Sequence, residues 1–203
     1  MQKIIQSLPG YQVNEYLLVL SPPEDLWHKI VKVKEEFAGT YKSEFARWGR
    51  PHIALVKFMQ YELMESKLIQ RLKTIAMSAP AFKLELKDYG SFPSHTIYIN
   101  VLSKIPVQNL VKEIRAASQR LMKLDNDNKP HFMSEPHLII GRKLAPWQYK
   151  KAWLEYSNRH FTGRFIADAM LLLKRCAGEK AYQIAQRFEF QNLPVMTRQG
   201  ELF

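Results

Sequence analysis

The sequence predicts an α+β fold of two duplicated lobes, each a strand-helix-strand-helix-strand unit, with antiparallel sheets meeting in a central groove. Three observations predict it. Apolar, β-branched runs alternate with stretches of helical periodicity along the chain. The order strand, helix, strand, helix, strand occurs twice. After the first helix of each repeat a Pro-His pair opens a strand, in Pro51-His52-Ile53-Ala54-Leu55-Val56-Lys57-Phe58 and again in Pro136-His137-Leu138-Ile139-Ile140-Gly141-Arg142. A chain of 203 residues suits one domain over residues 1–203, with lobes over about 12–94 and 95–191 and a polar tail at 192–203.

Taken in order, Glu15-Tyr16-Leu17-Leu18-Val19-Leu20 reads as a buried strand ended by Ser21-Pro22-Pro23. Proline is tolerated in a first helical turn, and Glu24 and Asp25 suit its positive end. Leu26, Ile30, Val33 and Phe37 then recur at helical spacing, so residues 24–38 form an amphipathic helix closed near Gly39. The His52 strand follows, then a helix over 62–77, then the alternating strand Phe82-Lys83-Leu84-Glu85-Leu86-Lys87 with a turn over 88–94. The second repeat has a strand over 95–101, a basic helix over 106–124, a polar loop over 125–130, the His137 strand and a helix over 146–160 that starts at Pro146. Two strands, 165–174 and 182–190, close the fold.

Composition narrows the functional class. With 46% hydrophobic and 24% charged residues the chain reads as an ordinary globular protein. Thirty Lys+Arg against 19 Asp+Glu leave +11, unevenly spread. Residues 1–101 hold 13 basic and 10 acidic side chains (+3), and the remainder holds 17 against 9 (+8). Such a field steers polyanions such as RNA toward the second half. The single cysteine, Cys176, excludes an internal disulfide and fits a reducing compartment. No apolar run approaches the roughly 20 residues that span a bilayer, and the first residues do not read as a secretion signal. The expectation is a cytoplasmic monomer with no membrane partner.

The chemistry-bearing feature is the repeated Pro-His context, since proline restrains the backbone and presents each imidazole from a stiff strand mouth. This arrangement resembles the two-histidine (2H) phosphoesterase superfamily, and within it the 2′-5′ RNA ligase and cyclic phosphodiesterase branch. The signature of that family is a histidine followed two residues later by threonine or serine, twice. His52 and His137, 85 residues apart by subtraction, stand where the family has its histidines, while Ala54 and Ile139 stand where it has hydroxyls. The likeness runs from about Tyr16 to Phe190 and includes the hairpin from Phe82 through Tyr98 with its Gly90 and Phe92-Pro93 turn.

The resemblance implies RNA or nucleotide substrates and a reaction on 2′,3′-cyclic phosphates or 2′-5′ linkages. His52 and His137 would serve as general acid and base, with neither metal nor other cofactor. Histidine titrates near pH 6.5 when unperturbed and so holds either state near neutrality. Ala54 leaves a gap at the phosphate, and Ile139 sets a branched apolar chain there, which makes a catalytically degenerate RNA- or nucleotide-binding protein the rival reading. Lys57 and Arg142 would be welcome beside a phosphate, yet their odd offset from the histidines points them to the opposite face of an ideal strand unless a bulge intervenes. Phe92 and Tyr98 are candidates to stack on a base. Lys83, Arg175 and Arg187 are weaker groove candidates. His28, His95, His131 and His160 lack the repeated context and read as surface or capping residues.

Overall fold

The structure, a computed structural model, describes residues 9–47 and 49–194. Its organising strand is β1 (Val13–Leu20), nearly all of it buried because strands flank it on both sides. Helix α1 (Glu24–Tyr41) starts from the extended Pro23 and carries Glu24 and Asp25 in its first turn. It runs past Gly39 and ends where Lys42 turns left-handed at φ 51° and donates its N–H to the Ala38 carbonyl. A short helix α2 (Glu44–Arg47), not expected from the sequence, precedes β2 (Ile53–Tyr61). A 3₁₀ turn over Glu62–Met64 then leads into α3 (Glu65–Ser78).

Strand β3 (Phe82–Phe92) is longer than its apolar alternation indicates, because Asp88, at φ 53°, sits at a register shift rather than in a turn. The reversal lies at 93–95, with β4 at Thr96–Val101. Helix α4 (Lys104–Met122) buries Val107, Leu110, Ile114 and Met122, and a two-residue strand β5 (His131–Phe132) lies ahead of β6 (His137–Gly141). Helix α5 covers Pro146–Tyr156. The expected single strand at 165–174 is instead two, β7 (Thr162–Ala167) and β8 (Ala169–Arg175), broken at Asp168, and β9 is Gln183–Glu189.

All nine strands join one antiparallel sheet in the order β7-β3-β4-β6-β2-β1-β8-β9, with β5 beside β2. Strand β3 pairs with β4 and β7, whereas β8 and β9 extend the sheet from β1. Each half of the sheet therefore draws strands from both halves of the chain. Only Asp168 separates β7 at one margin from β8 near the other, so the sheet must fold back on itself there.

The two halves join where β2 meets β6, at the pair Ile53 and Leu138, both fully buried. One contiguous core lies on that side, under α1, α3, α4 and α5. A small second cluster of Leu17, Val19 and Leu173, with Ala54 and Leu171 against it, lies apart from that core. No described helix is long and apolar enough to cross a membrane.

Candidate active site

The seam between β2 and β6 positions the histidines. In an antiparallel pair, opposite residues share a face and neighbours along each strand alternate. Because Ile53 faces Leu138, extending the register by one residue sets His52 against Ile139 and Ala54 against His137. All four occupy the face opposite the buried pair and remain partly open. The histidines are thus diagonal neighbours on adjacent strands, with backbones about 7–8 Å apart, a separation that long side chains bridge. Strand β4 continues both rows, with Tyr98 beside Ile139 and Asn100 beside His137.

Each imidazole is anchored in the same way. His52 Nδ1 lies 2.6 Å from the carbonyl of Arg50, and His137 Nδ1 lies 2.7 Å from the carbonyl of Glu135, two residues back in both cases. A carbonyl only accepts, so each Nδ1 carries the proton. Each Nε2 then offers a lone pair when the ring is neutral and an N–H when it is charged. Burial pushes His52 down to about 4, against the upward pull of the Arg50 carbonyl and with help from the positive charges of Lys34 and Arg142. Burial also lowers His137, but the Glu135 carbonyl and carboxylate work in the other direction. The two rings are therefore electrostatically unequal.

A cleft of about 570 Å³ opens on this face and is lined by His52, Ala54, Lys57, Ile139 and Arg142 among others. Lys57 and Arg142 are there because both histidine strands are bulged. The register of β2 slips between Val56 and Ala54, leaving Leu55 and Val56 both buried and turning Lys57 to the histidine's side. In β6 the slip falls between Ile139 and Gly141, Ile140 and Gly141 are both buried, and Arg142 turns out. The bulges that the odd offset calls for are therefore present in both strands, and they bring Lys57 and Arg142 to the cleft. Gly141 makes the second bulge packable, since a Cβ there would lie 2.5 Å from the Phe37 ring.

Phe92 and Tyr98 pack beside His137 rather than in the main cleft. Their ring centroids are 4.4 Å apart, and His137 lies 4.9 Å from Phe92 and 5.1 Å from Tyr98. Gly90 leaves room for this, because a Cβ there would come within 2.7 Å of the Tyr98 ring. The weaker candidates divide. Arg175 lines the cleft, whereas Lys83 and Arg187 pair with Glu85 and Asp168 outside it.

Lys34 was missed by the sequence reading, and the signal was present. It falls on the apolar stripe of α1 with Leu26, Ile30, Phe37 and Tyr41, where a lysine has no packing reason to be. It is only 7% exposed, donates to the Gly49 carbonyl at 2.8 Å, and is pushed down to about 8 by burial and by Arg142. At the other end of the cleft Glu15 accepts from Tyr182 and Arg175 and pairs with Lys57 at 2.9 Å. Burial raises that carboxyl, and these partners outweigh it and hold it below the usual carboxylate range.

His52 thus lines a basic cleft of an antiparallel sheet, and His137, anchored in the same way, stands on the adjacent strand against Phe92 and Tyr98. The family profile described as the 2′-5′ RNA ligase superfamily matches residues 22–179. The chain belongs to that superfamily, the two-histidine phosphoesterases. A protein of Geobacillus kaustophilus, provisionally named a phosphoesterase, is 24% identical over 155 residues, covering 72% of this chain and 81% of that protein. Among solved structures, apo E. coli LigT aligns with a TM-score of 0.63 at 13% identity, covering 88% of this chain and 98% of its own. LigT complexed with 3′-AMP gives 0.61 at 16% identity, covering 88% and 99%. A Thermus thermophilus protein gives 0.58 at 16% identity, covering 87% and 98%. These likenesses show the shared fold.

Proposed function

We propose that this protein hydrolyses phosphoesters of RNA or nucleotides at 2′,3′-cyclic phosphates or 2′-5′ linkages, with His52 as general base and His137 as general acid. The observation that supports the reading is the pair of histidines on adjacent strands, each held through Nδ1, which leaves each Nε2 for proton transfer. Neutral His52, its proton affinity depressed by burial and by cations, takes a proton from water. The water oxygen bonds to phosphorus, one ribose oxygen leaves, and His137 in its charged form delivers a proton to that oxygen. Lys34 and Arg142 favour the phosphate charge, and the apolar side chains of Leu17 and Leu173 in the lining suit a ribose or base. Run backwards, the same transfers join ends.

The family membership supports phosphoesterase chemistry, and E. coli LigT is described in complexes with 3′-AMP, phosphate, ATP and NADP+. The test is hydrolysis of a nucleoside 2′,3′-cyclic phosphate or a 2′-5′ oligonucleotide in the presence of a chelator. His52→Ala and His137→Ala each abolish it on this reading, and full activity in either variant removes the mechanism.

A second reading has its own support in Ile139, whose apolar side chain stands directly across from His52. On that reading the chain binds RNA or nucleotides in the same cleft without turnover. Salt-sensitive binding of short RNA with no product after long incubation over several linkages decides for it.

A further inference from the structure

Next to the cleft lies a second cavity, of about 260 Å³, between α4 and the chain at β5, lined by Gln108, Val111, Lys112, Arg115, Phe132, Met133 and Ser134. Met133 lines the cleft as well, so one residue is the shared wall of both spaces. That wall is fixed at two points: Met133 donates its N–H to the Leu55 carbonyl at 2.9 Å, one residue from Ala54, and Gln108 Nε2 donates to the Ser134 carbonyl at 2.8 Å. The floor is apolar, with Val111 and Phe132 less than a tenth exposed. Arg115 stands over it, its guanidinium carbon 4.8 Å from the centre of the Phe132 ring. Lys112 stands one turn away on the same helix. Lys104, earlier on α4, is engaged by Glu135 at 2.8 Å, whereas Lys112 and Arg115 form no ion pair among the described residues.

We propose that this cavity is a subsite for the nucleotide next to the reacting phosphate, and that the substrate is a single-stranded oligoribonucleotide rather than a mononucleotide. The proposal rests on the phosphoesterase reading and extends it. A guanidinium held over Phe132 at the rim of an apolar pocket can stack on a base as well, and a base over a planar cation is the geometry single-strand binders use. Lys112 supplies the point charge for the intervening phosphate. The volume suits one base with part of its ribose, and the position just over Met133 from Ala54 is where a strand leaving the histidines would pass.

The test compares a nucleoside 2′,3′-cyclic phosphate with a decamer ending in the same cyclic nucleotide. Lys112→Ala with Arg115→Ala, both surface positions, is expected to raise KM for the decamer by about five- to a hundredfold while leaving kcat and the mononucleotide reaction unchanged. The salt dependence of decamer binding should lose about one phosphate contact, that of Lys112. Equal losses on both substrates, or no loss on the decamer, overturn the proposal. If neither substrate turns over, the catalytic reading fails by itself. The subsite is then read from anisotropy of a labelled RNA decamer: weaker binding by the double variant upholds it, and unchanged binding overturns it.

Discussion

Replacing the two side chains that occupy the hydroxyl positions, Ala54→Thr and Ile139→Thr, tests the site most directly. Both stand on the histidine face, Ala54 across from His137 and Ile139 across from His52 by extension of the register, so on the proposed mechanism a hydroxyl at either position would donate to the same phosphate. A hydrogen bond to a charged group contributes about 1.5–3 kcal/mol, which is about 10- to 150-fold in rate if it is made in the transition state. Two such bonds would give about 10²–10⁴. They share one phosphate, so the gains should fall short of additive. Ile139→Thr should help more than Ala54→Thr, because it also removes apolar bulk from the phosphate's place. Neither residue belongs to the buried core, so stability should change little. The assay is kcat/KM on a nucleoside 2′,3′-cyclic phosphate for the parent, both single variants and the double. A folded double variant no faster than the parent would refute the reasoning, since the missing hydroxyls would not be what limits the site.

Three further outcomes follow from the same geometry. The kcat/KM profile should be a bell displaced to acid pH, with its acid limb near His52 at about 4 and its alkaline limb at His137, below the ordinary 6.5; a rate still rising at pH 8 contradicts the assignment of base and acid. Stability should also fall on acidification: the folded value of His52 lies below the unfolded one, so the unfolded chain binds more protons between about pH 6.5 and 4, and His52→Asn should flatten denaturant stability over that window by at most about 3 kcal/mol. Gly141→Ala should cost about 1–3 kcal/mol in urea unfolding, because the new Cβ meets the fully buried Phe37 ring, and an unchanged midpoint would show that the bulge can relax.

Much of the fold is legible in the sequence because periodicity carries it. Leu26, Ile30 and Phe37 announce α1, and the run from Ile53 announces β2. Pairing is less legible, since which strands meet is a matter of contacts far apart in the chain. The run Phe165 to Lys174 reads as one strand, and the exposed Asp168 alone hints at the break that sends β7 and β8 to different halves. The histidines are visible because their context repeats. The bulges are not, because Leu55-Val56 contains nothing but good strand formers; Gly141 in the second copy is the one local signal. Lys34 is visible in retrospect as a charge on an apolar stripe, and its meaning needs the cleft that tertiary structure supplies.

On the proposed function, the distribution of charge along the cleft favours its histidine end for the phosphate. At the Glu15 end Lys57 and Arg175 are both held by that carboxylate. At the histidine end Lys34 is nearly buried and bonded to a neutral carbonyl, and Arg142 is close enough to depress it and His52 alike. Cations gathered in a partly dry space without a carboxylate raise the free energy of the empty protein, and an anion brought between them recovers it. The same arrangement keeps His52 neutral before substrate arrives, which a general base requires. Glu135 offsets the effect of burial at His137 and no such carboxylate acts at His52, which is the inequality that the proposed roles of base and acid draw on. The asymmetry comes from what surrounds the two strands and not from the strands themselves, whose bulges and carbonyl anchors match.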